Sequence, residues 1–455
     1  MTRRIGSLVL LLILGAFISS CTWFQIPIAT VTLSPVAGAV NAVVAIVSTG
    51  FGATQGTSVV TFDGIQAHVV SWSDTSITAQ VPVLPTPDGD RLVVVNVVRG
   101  GTTIGTALFT VQRGILFETY RDGNLEIYMM NPDGSNPTNL TKHPSTDLSA
   151  VWSPDGTKIA FTSDRDENDE VYVMNADGTN AVNLTTDPYD DFAPQWSPDG
   201  TKIAFQSDRE TTGPILSYDP KVMLVVYNSE VFVMNADGSG QVNVSNHEMW
   251  DGNPSWSPGS DRIVFQSDRH VDPGPIIMGV LPDELGVEIY AVDADGTDLV
   301  NLTHSPGDDR YPVWAPDGTK IAFQSARDGN QEIYVMNPDG SGQTRLTTDV
   351  GYDSYPSWSP DSQWITFHSD RTGGTDLYKM TRVGLSTTRL TTSIDWDWGP
   401  SWSPDAQWIA FQTTRDGNSE IYRMRADGSG QLRLTNDPEW DMHPVWGTSS
   451  WMPPA

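Results

Sequence analysis

Short alternations of apolar and polar residues run through most of this chain, divided by glycine, proline and aspartate turns. Lys202-Ile203-Ala204-Phe205-Gln206-Ser207 alternates with the period of two that suits a half-buried strand. Glu332-Ile333-Tyr334-Val335-Met336-Asn337 reads as a second strand, and Asn337-Pro338-Asp339-Gly340 reads as the hairpin turn that follows it. A short third strand comes next, as in Arg345-Leu346-Thr347. A further strand ends on tryptophan, as in Ala193-Pro194-Gln195-Trp196, and leads into Ser-Pro-Asp-Gly, a β-turn sequence.

These four signals recur as a unit. Its tryptophans are Trp152, Trp196, Trp256, Trp314, Trp358, Trp402 and Trp446, 44 residues apart except for two longer steps of 60 and 58. A fixed period of about 40–45 residues is the sequence mark of a β-propeller blade. The strand that ends on tryptophan is out of step with the other three. No counterpart precedes the first unit, whereas Asp441 and Trp446 fit the frame at the end. The expectation is therefore an all-β chain with a seven-bladed β-propeller over 114–447, in which the last strand completes the first blade and seals the ring. Entry and exit then share a lower face.

Residues 27–112 carry a different rhythm. Val43 to Val47 is a β-branched run, Gly50-Phe51-Gly52 is a turn, and Val59-Val60-Thr61-Phe62-Asp63-Gly64 and Ser73-Asp74-Thr75-Ser76-Ile77-Thr78 follow. This order resembles the IPT/TIG domain, which implies an N-terminal Ig-like β-sandwich. The repeat itself, with W-S-P-D-G, I-A-F, R-D-G, E-I-Y-V-M-N and D-G-S segments, resembles the TolB-like (WD-like) β-propeller repeat. That resemblance implies a scaffold that binds protein or glycan partners of the cell envelope. Some such propellers resemble the scaffold of oligogalacturonate lyases, which use histidine and a metal. A propeller-based polysaccharide lyase or hydrolase, or a surface adhesin or stalk module, is the alternative.

Arg3 and Arg4 precede an apolar stretch, Ile5 to Phe17, of export-signal length. Ile18-Ser19-Ser20-Cys21 resembles a bacterial lipobox, which implies a signal peptide over 1–20, lipid attachment at Cys21 and a linker over 21–26. Cys21 is the single cysteine, so no disulfide forms within the chain. The expected location is the outer membrane or periplasm, or the outer face of the cell membrane in a one-membrane bacterium. The membrane is contacted through the lipid alone. The net charge of −30 excludes a nucleic-acid binder, since phosphate rewards clustered Lys and Arg. A tail over 448–455 closes the chain.

Three charged positions recur in every unit. Asp147, Asp191, Asp251, Asp309, Asp353, Asp397 and Asp441 precede the tryptophans by five residues. An arginine follows the second strand (Arg121, Arg165, Arg209, Arg269, Arg327, Arg371, Arg415), and an acid opens the third (Glu126, Glu170, Glu230, Glu288, Glu332, Asp376, Glu420). The three groups are expected to meet at the upper edge of each blade as a structural clamp. The alternative for the aspartates is an acidic ring at the channel mouth that holds a cation or a basic partner loop. The two long steps place apolar insertions between the second and third strands of neighbouring blades. Ile215, Leu216, Tyr218, Met223, Leu224, Val225 and Tyr227 lie in one, and Ile276, Ile277, Met278 and Leu281 in the other. These are the candidate partner-docking residues, and they offer a route to self-association. His143, His247 and His304 fall in separate blades without metal-binding spacing, and the chain has no Gly-x-Ser-x-Gly elbow. No catalytic residue, metal or cofactor is expected.

Overall fold

The computed structural model describes residues 29–84, 91–209, 229–247, 249–269 and 286–446. Cys21 and its leader lie outside them, as do the eleven candidate docking residues of the two insertions.

The first module is two packed sheets. One is ordered Thr32–Ser34, Val43–Val47, Ser76–Gln80, Val69–Trp72. The other is built on the hairpin of Arg91–Arg99 with Thr102–Val111, flanked by Val59–Phe62. Alternate residues turn inward, so Val44, Ile46, Phe62, Ile77, Val95 and Phe109 form the core. Phe62 and Phe109 meet edge to face at 5.5 Å.

Among the described residues, seven four-stranded antiparallel sheets follow. Six run in chain order, as in Asp147–Trp152, Lys158–Ser163, Glu170–Asn175, Val182–Asn183. The remaining sheet takes three strands from residues 115–139 and its innermost strand, Asp441–Trp446, from the far end of the chain. Ile115 pairs with Trp446 and Thr119 with Asp441. Neighbouring sheets touch in chain order, and Asp441–Trp446 touches Asp147–Trp152, which closes the ring. The second strand of each sheet is buried on both faces, with Phe117, Phe161, Phe205, Phe265, Phe323, Phe367 and Phe411 at its centre.

Each innermost strand carries a bulge where one residue of the second strand faces two. The bulged residues Ser149, Ala193, Asn253, Tyr311, Tyr355, Gly399 and His443 all have φ between +49° and +61°. Six of the seven are followed by proline, which a ladder accepts at a bulge. The bulge turns its N–H away from its own sheet, and a side chain of the preceding sheet accepts it. The acceptors are Glu118 (2.7 Å), Thr162 (3.1 Å), Gln206 (2.6 Å), Gln266 (2.8 Å), Gln324 (3.2 Å), His368 (3.1 Å) and Gln412 (3.1 Å). A second stitch repeats beside it. The N–H of each recurrent aspartate donates to the carbonyl just before the acid of the preceding sheet, as Asp191 to Asp169 (2.7 Å) and Asp353 to Gln331 (2.8 Å).

The first module rests on the tryptophan end of the first two propeller sheets. Ala39 N–H donates to Asn131 Oδ1 (3.0 Å), Asn41 Nδ2 to the Asp177 carbonyl (3.3 Å), and Arg113 Nη2 to the Pro154 carbonyl (2.8 Å). Val40 enters the propeller core beside Leu140 and Trp152.

Replacing Gln324 by Ala strands the Tyr355 N–H between two sheets and is expected to cost about 1–3 kcal/mol in denaturant unfolding. Phe323→Ala, which empties a core position, is expected to cost about 3–5 kcal/mol.

Candidate functional site

The propeller offers two faces. At the tryptophan end the channel mouth is a cavity of about 460 Å³ lined by Trp152, Trp196, Trp256, Trp314, Trp358 and Trp402, with the proline of the turn that follows each of the first five. The first module shares this face. The opposite face carries the starts of the innermost strands and the connections that lead into them.

The structure separates the three recurrent charged positions into two pairs. The seven aspartates are wholly buried, each salt-bridged to the arginine of its own sheet at 2.5 to 3.0 Å. Every arginine also donates from Nε to the hydroxyl that ends the second strand, as Arg165 to Ser163 (2.8 Å). Its guanidinium lies over the ring of the third strand at 4.5 to 4.9 Å, as Arg371 over Tyr378 and Arg415 over Tyr422. Cation–π contact adds about 0.5–1 kcal/mol or more per stack.

The third-strand acid does not complete this clamp. A hydroxyl two residues past the short outer strand holds it within the same sheet: Ser245 to Glu230 (2.6 Å), Thr435 to Glu420 (2.6 Å), and Thr185 to Glu170. The same hydroxyl accepts the next N–H of the third strand, at 2.8 to 3.1 Å in all seven sheets. Thr141, Thr185 and Thr303, each the last residue of an Asn-Leu-Thr segment, are among these hydroxyls. An acidic ring open at the channel mouth is therefore corrected. Asp147, Asp191, Asp251, Asp309, Asp353, Asp397 and Asp441 sit inside the blade junctions, where arginine neutralises them and neither solvent nor a partner loop reaches them.

His143, His247 and His304 lie in the outer connections of three different sheets. The Nδ1 atoms of His143 and His247 accept from the nearby backbone of Ser145 and Met249. Among the described residues no three His, Cys, Asp or Glu side chains are grouped to hold a metal. Two other histidines are built into junctions. His368 replaces the usual glutamine acceptor, and burial pushes its ring down to about 3, so it is a neutral acceptor for Gly399. His443 Nδ1 meets Glu118 at 2.8 Å. Burial opposes charging of His443, but the Glu118 carboxylate outweighs it and raises the ring above its usual range.

One feature of the upper face lies outside the recurrent motifs of the repeat. In three consecutive sheets the residue before the recurrent aspartate is an exposed aromatic: Tyr352, Trp396 and Trp440. The corresponding residues in the other four sheets are Thr146, Asp190, Asp308 and Trp250, the last of them half-buried.

Geometry thus defines a closed β-propeller carried behind a β-sandwich, and comparison with known proteins agrees. Residues 112–210 and 312–395 match the model of the TolB beta propeller domain, and residues 30–111 match the IPT/TIG domain. The chain carries a TolB-like β-propeller preceded by an IPT/TIG domain. A TolB homolog of Chlorobium luteolum is 45% identical over 71 residues, which are 15% of this chain and 16% of that protein. Among solved structures, oligogalacturonate lyase from Vibrio parahaemolyticus aligns with a TM-score of 0.54 at 18% identity, over 69% of this chain and 86% of its own. A puromycin-hydrolyzing peptidase of Mycobacterium tuberculosis aligns with a TM-score of 0.52 at 13% identity, over 77% of this chain and 52% of its own. At these identities the two structures share the fold alone.

The junction acids give a pH dependence. Burial raises the Asp191 and Glu230 carboxyls to about 7, against the pull of Arg209 and Arg269 respectively. Each keeps its proton to higher pH in the folded state than in the unfolded chain, so stability falls as pH rises toward these values. His443 acts in the same sense, because its ion pair stabilises below the unfolded value of 6.5 and fades as pH rises through the raised folded value. His368 has the opposite sign, but its window lies between about 3 and 6.5. The acids lose their contribution from the ordinary carboxylate range up to about 7, opposed below 6.5 by His368, so the thermal midpoint is expected to fall as pH rises from 6.5 through about 7 and on through the raised range of His443, and His443→Gln is expected to flatten the later part of the fall. A midpoint that rises over this range in differential scanning calorimetry contradicts the assignment.

Proposed function

We infer that this chain is a non-catalytic binding scaffold of the cell envelope, whose propeller holds protein partners on the face opposite the first module. The observation that carries this reading is the use made of the repeated charged groups. All seven Asp–Arg pairs are buried in blade junctions, so the ionic chemistry that recurs is architectural. The TolB-like domain match supports a binding role. Placement of the first module at the tryptophan end supports the same orientation, since it leaves the upper face turned away from the N-terminal side of the chain.

Attachment through a lipid on Cys21, after removal of residues 1–20, completes the proposal and places the protein at the outer membrane or periplasm. Glycan partners and self-association through the insertions at 210–228 and 270–287 are subordinate readings on the same scaffold.

Crosslinking in the native envelope followed by affinity recovery of the full chain tests the function. A specific protein partner, recovered at stoichiometric yield, is the expected result. Turnover of a polyuronate by the purified chain, with no partner recovered, overturns it. In the same strain Cys21→Ser is expected to shift the protein from the membrane pellet to the soluble fraction, and retention in the pellet contradicts the lipid anchor.

A further inference from the structure

The propeller's sevenfold pattern is broken on its upper face by one arc of exposed apolar side chains. Trp396, Trp440 and Tyr352 are each nearly 60% exposed, at 58%, 57% and 57%, and they occupy one repeat position in three consecutive sheets. Val350 and Ile394, two residues before Tyr352 and Trp396, are 95% and 90% exposed. The Trp396 ring also lies 5.3 Å from that of Trp398, which extends the arc toward the channel. Isolated exposed apolar residues are ordinary, but a contiguous arc of aromatic and branched side chains marks a contact surface.

The charge around the arc selects the partner. Besides the buried, arginine-paired Asp353, Asp397 and Asp441, the three connections, 349–353, 393–398 and 437–441, contain four acidic residues, Asp349, Asp395, Asp437 and Glu439, and no lysine, arginine or histidine. Glu439 is exposed and Asp395 is half-buried, each directly preceding an exposed tryptophan. The arginines of these sheets that approach from below, Arg371, Arg415 and Arg121, are held by Asp353, Asp397 and Asp441. An indole face bordered by carboxylates attracts a cation twice over, through the ring quadrupole and through direct ion pairing. An anionic polymer is repelled by the same groups.

We propose that this arc is the partner-binding surface of the propeller, and that it takes a lysine- or arginine-rich segment of a protein, whose cationic side chains stack on Trp396 and Trp440 between Asp395 and Glu439. The proposal rests on the scaffold reading above and names where, and by what chemistry, that scaffold binds.

The test uses the full chain and three probes: a hexa-arginine peptide, cellohexaose and an oligogalacturonate. Binding is read by calorimetry at low and high salt. The peptide is expected to bind, more weakly at high salt, and the Trp396→Ala/Trp440→Ala variant is expected to bind it about tenfold more weakly. Trp440→Phe keeps an aromatic face and is expected to retain most of the affinity. All these side chains are exposed, so an unchanged thermal midpoint checks that the variants fold. Peptide affinity that is the same in the double alanine variant overturns the proposal, as does absence of peptide binding. Cellohexaose or oligogalacturonate binding that is lost in that variant also overturns it. The scaffold reading fails separately. A partner recovered by crosslinking whose contacts fall away from the arc leaves the scaffold standing and removes this surface.

Discussion

A single hydrogen bond, repeated seven times, sets the geometry of the propeller. Each innermost strand is bulged at a residue held at positive φ, a conformation that costs a side-chain-bearing residue about 1–3 kcal/mol. It persists because the displaced N–H finds an acceptor on the sheet before it. The acceptor lies on the second strand and is buried, so an unmade bond would leave a dry polar group. Each sheet therefore fixes the innermost strand of the next, and the angle between sheets follows. The last bond in the series runs from His443, on the final strand, to Gln412, while His443 also pairs with Glu118 of the first sheet. The same device thus joins the last sheet to the first, whose innermost strand is the final strand of the chain paired with residues 115–119.

Around this bond the other repeated groups fall into place. The backbone stitch of each aspartate brings its carboxyl into the junction, where the arginine of its own sheet neutralises it. Removing one partner of such a buried pair leaves an uncompensated charge, which costs about 3–5 kcal/mol. Packing of the guanidinium on the Phe and Tyr rings holds it in that geometry, and the hydroxyl just past the outer strand holds the third-strand acid. Identical chemistry in all seven sheets belongs to the ring, and what differs between sheets is left for recognition.

Much of this was legible in the sequence. The tryptophan period and the alternating strands defined the TolB-like propeller, and the turn-punctuated runs before residue 112 defined the Ig-like module. The recurrent Asp and Arg were visible as positions, but their burial was not, because charge at a strand end reads equally well as an exposed rim. The bulge stayed hidden for a different reason. Its residue is Ser, Ala, Asn, Tyr, Gly or His and its acceptor Glu, Thr, Gln or His, so neither shows as a conserved letter. Proline inside a predicted strand was the available signal. The apolar arc was missed because the longer insertions, which lie outside the described residues, drew the candidate list.

Ring closure by the final strand is the claim on which the rest depends, and equilibrium unfolding in guanidinium tests it most directly. The full chain is compared with one ending at residue 438, followed by tryptophan fluorescence and far-ultraviolet circular dichroism. The account predicts that the full chain shows a propeller transition on which both probes coincide. In the shortened chain, which lacks the innermost strand of the first sheet and the junction that strand makes with the last sheet, that transition is displaced to markedly lower denaturant or lost. An unchanged midpoint in the shortened chain would contradict it.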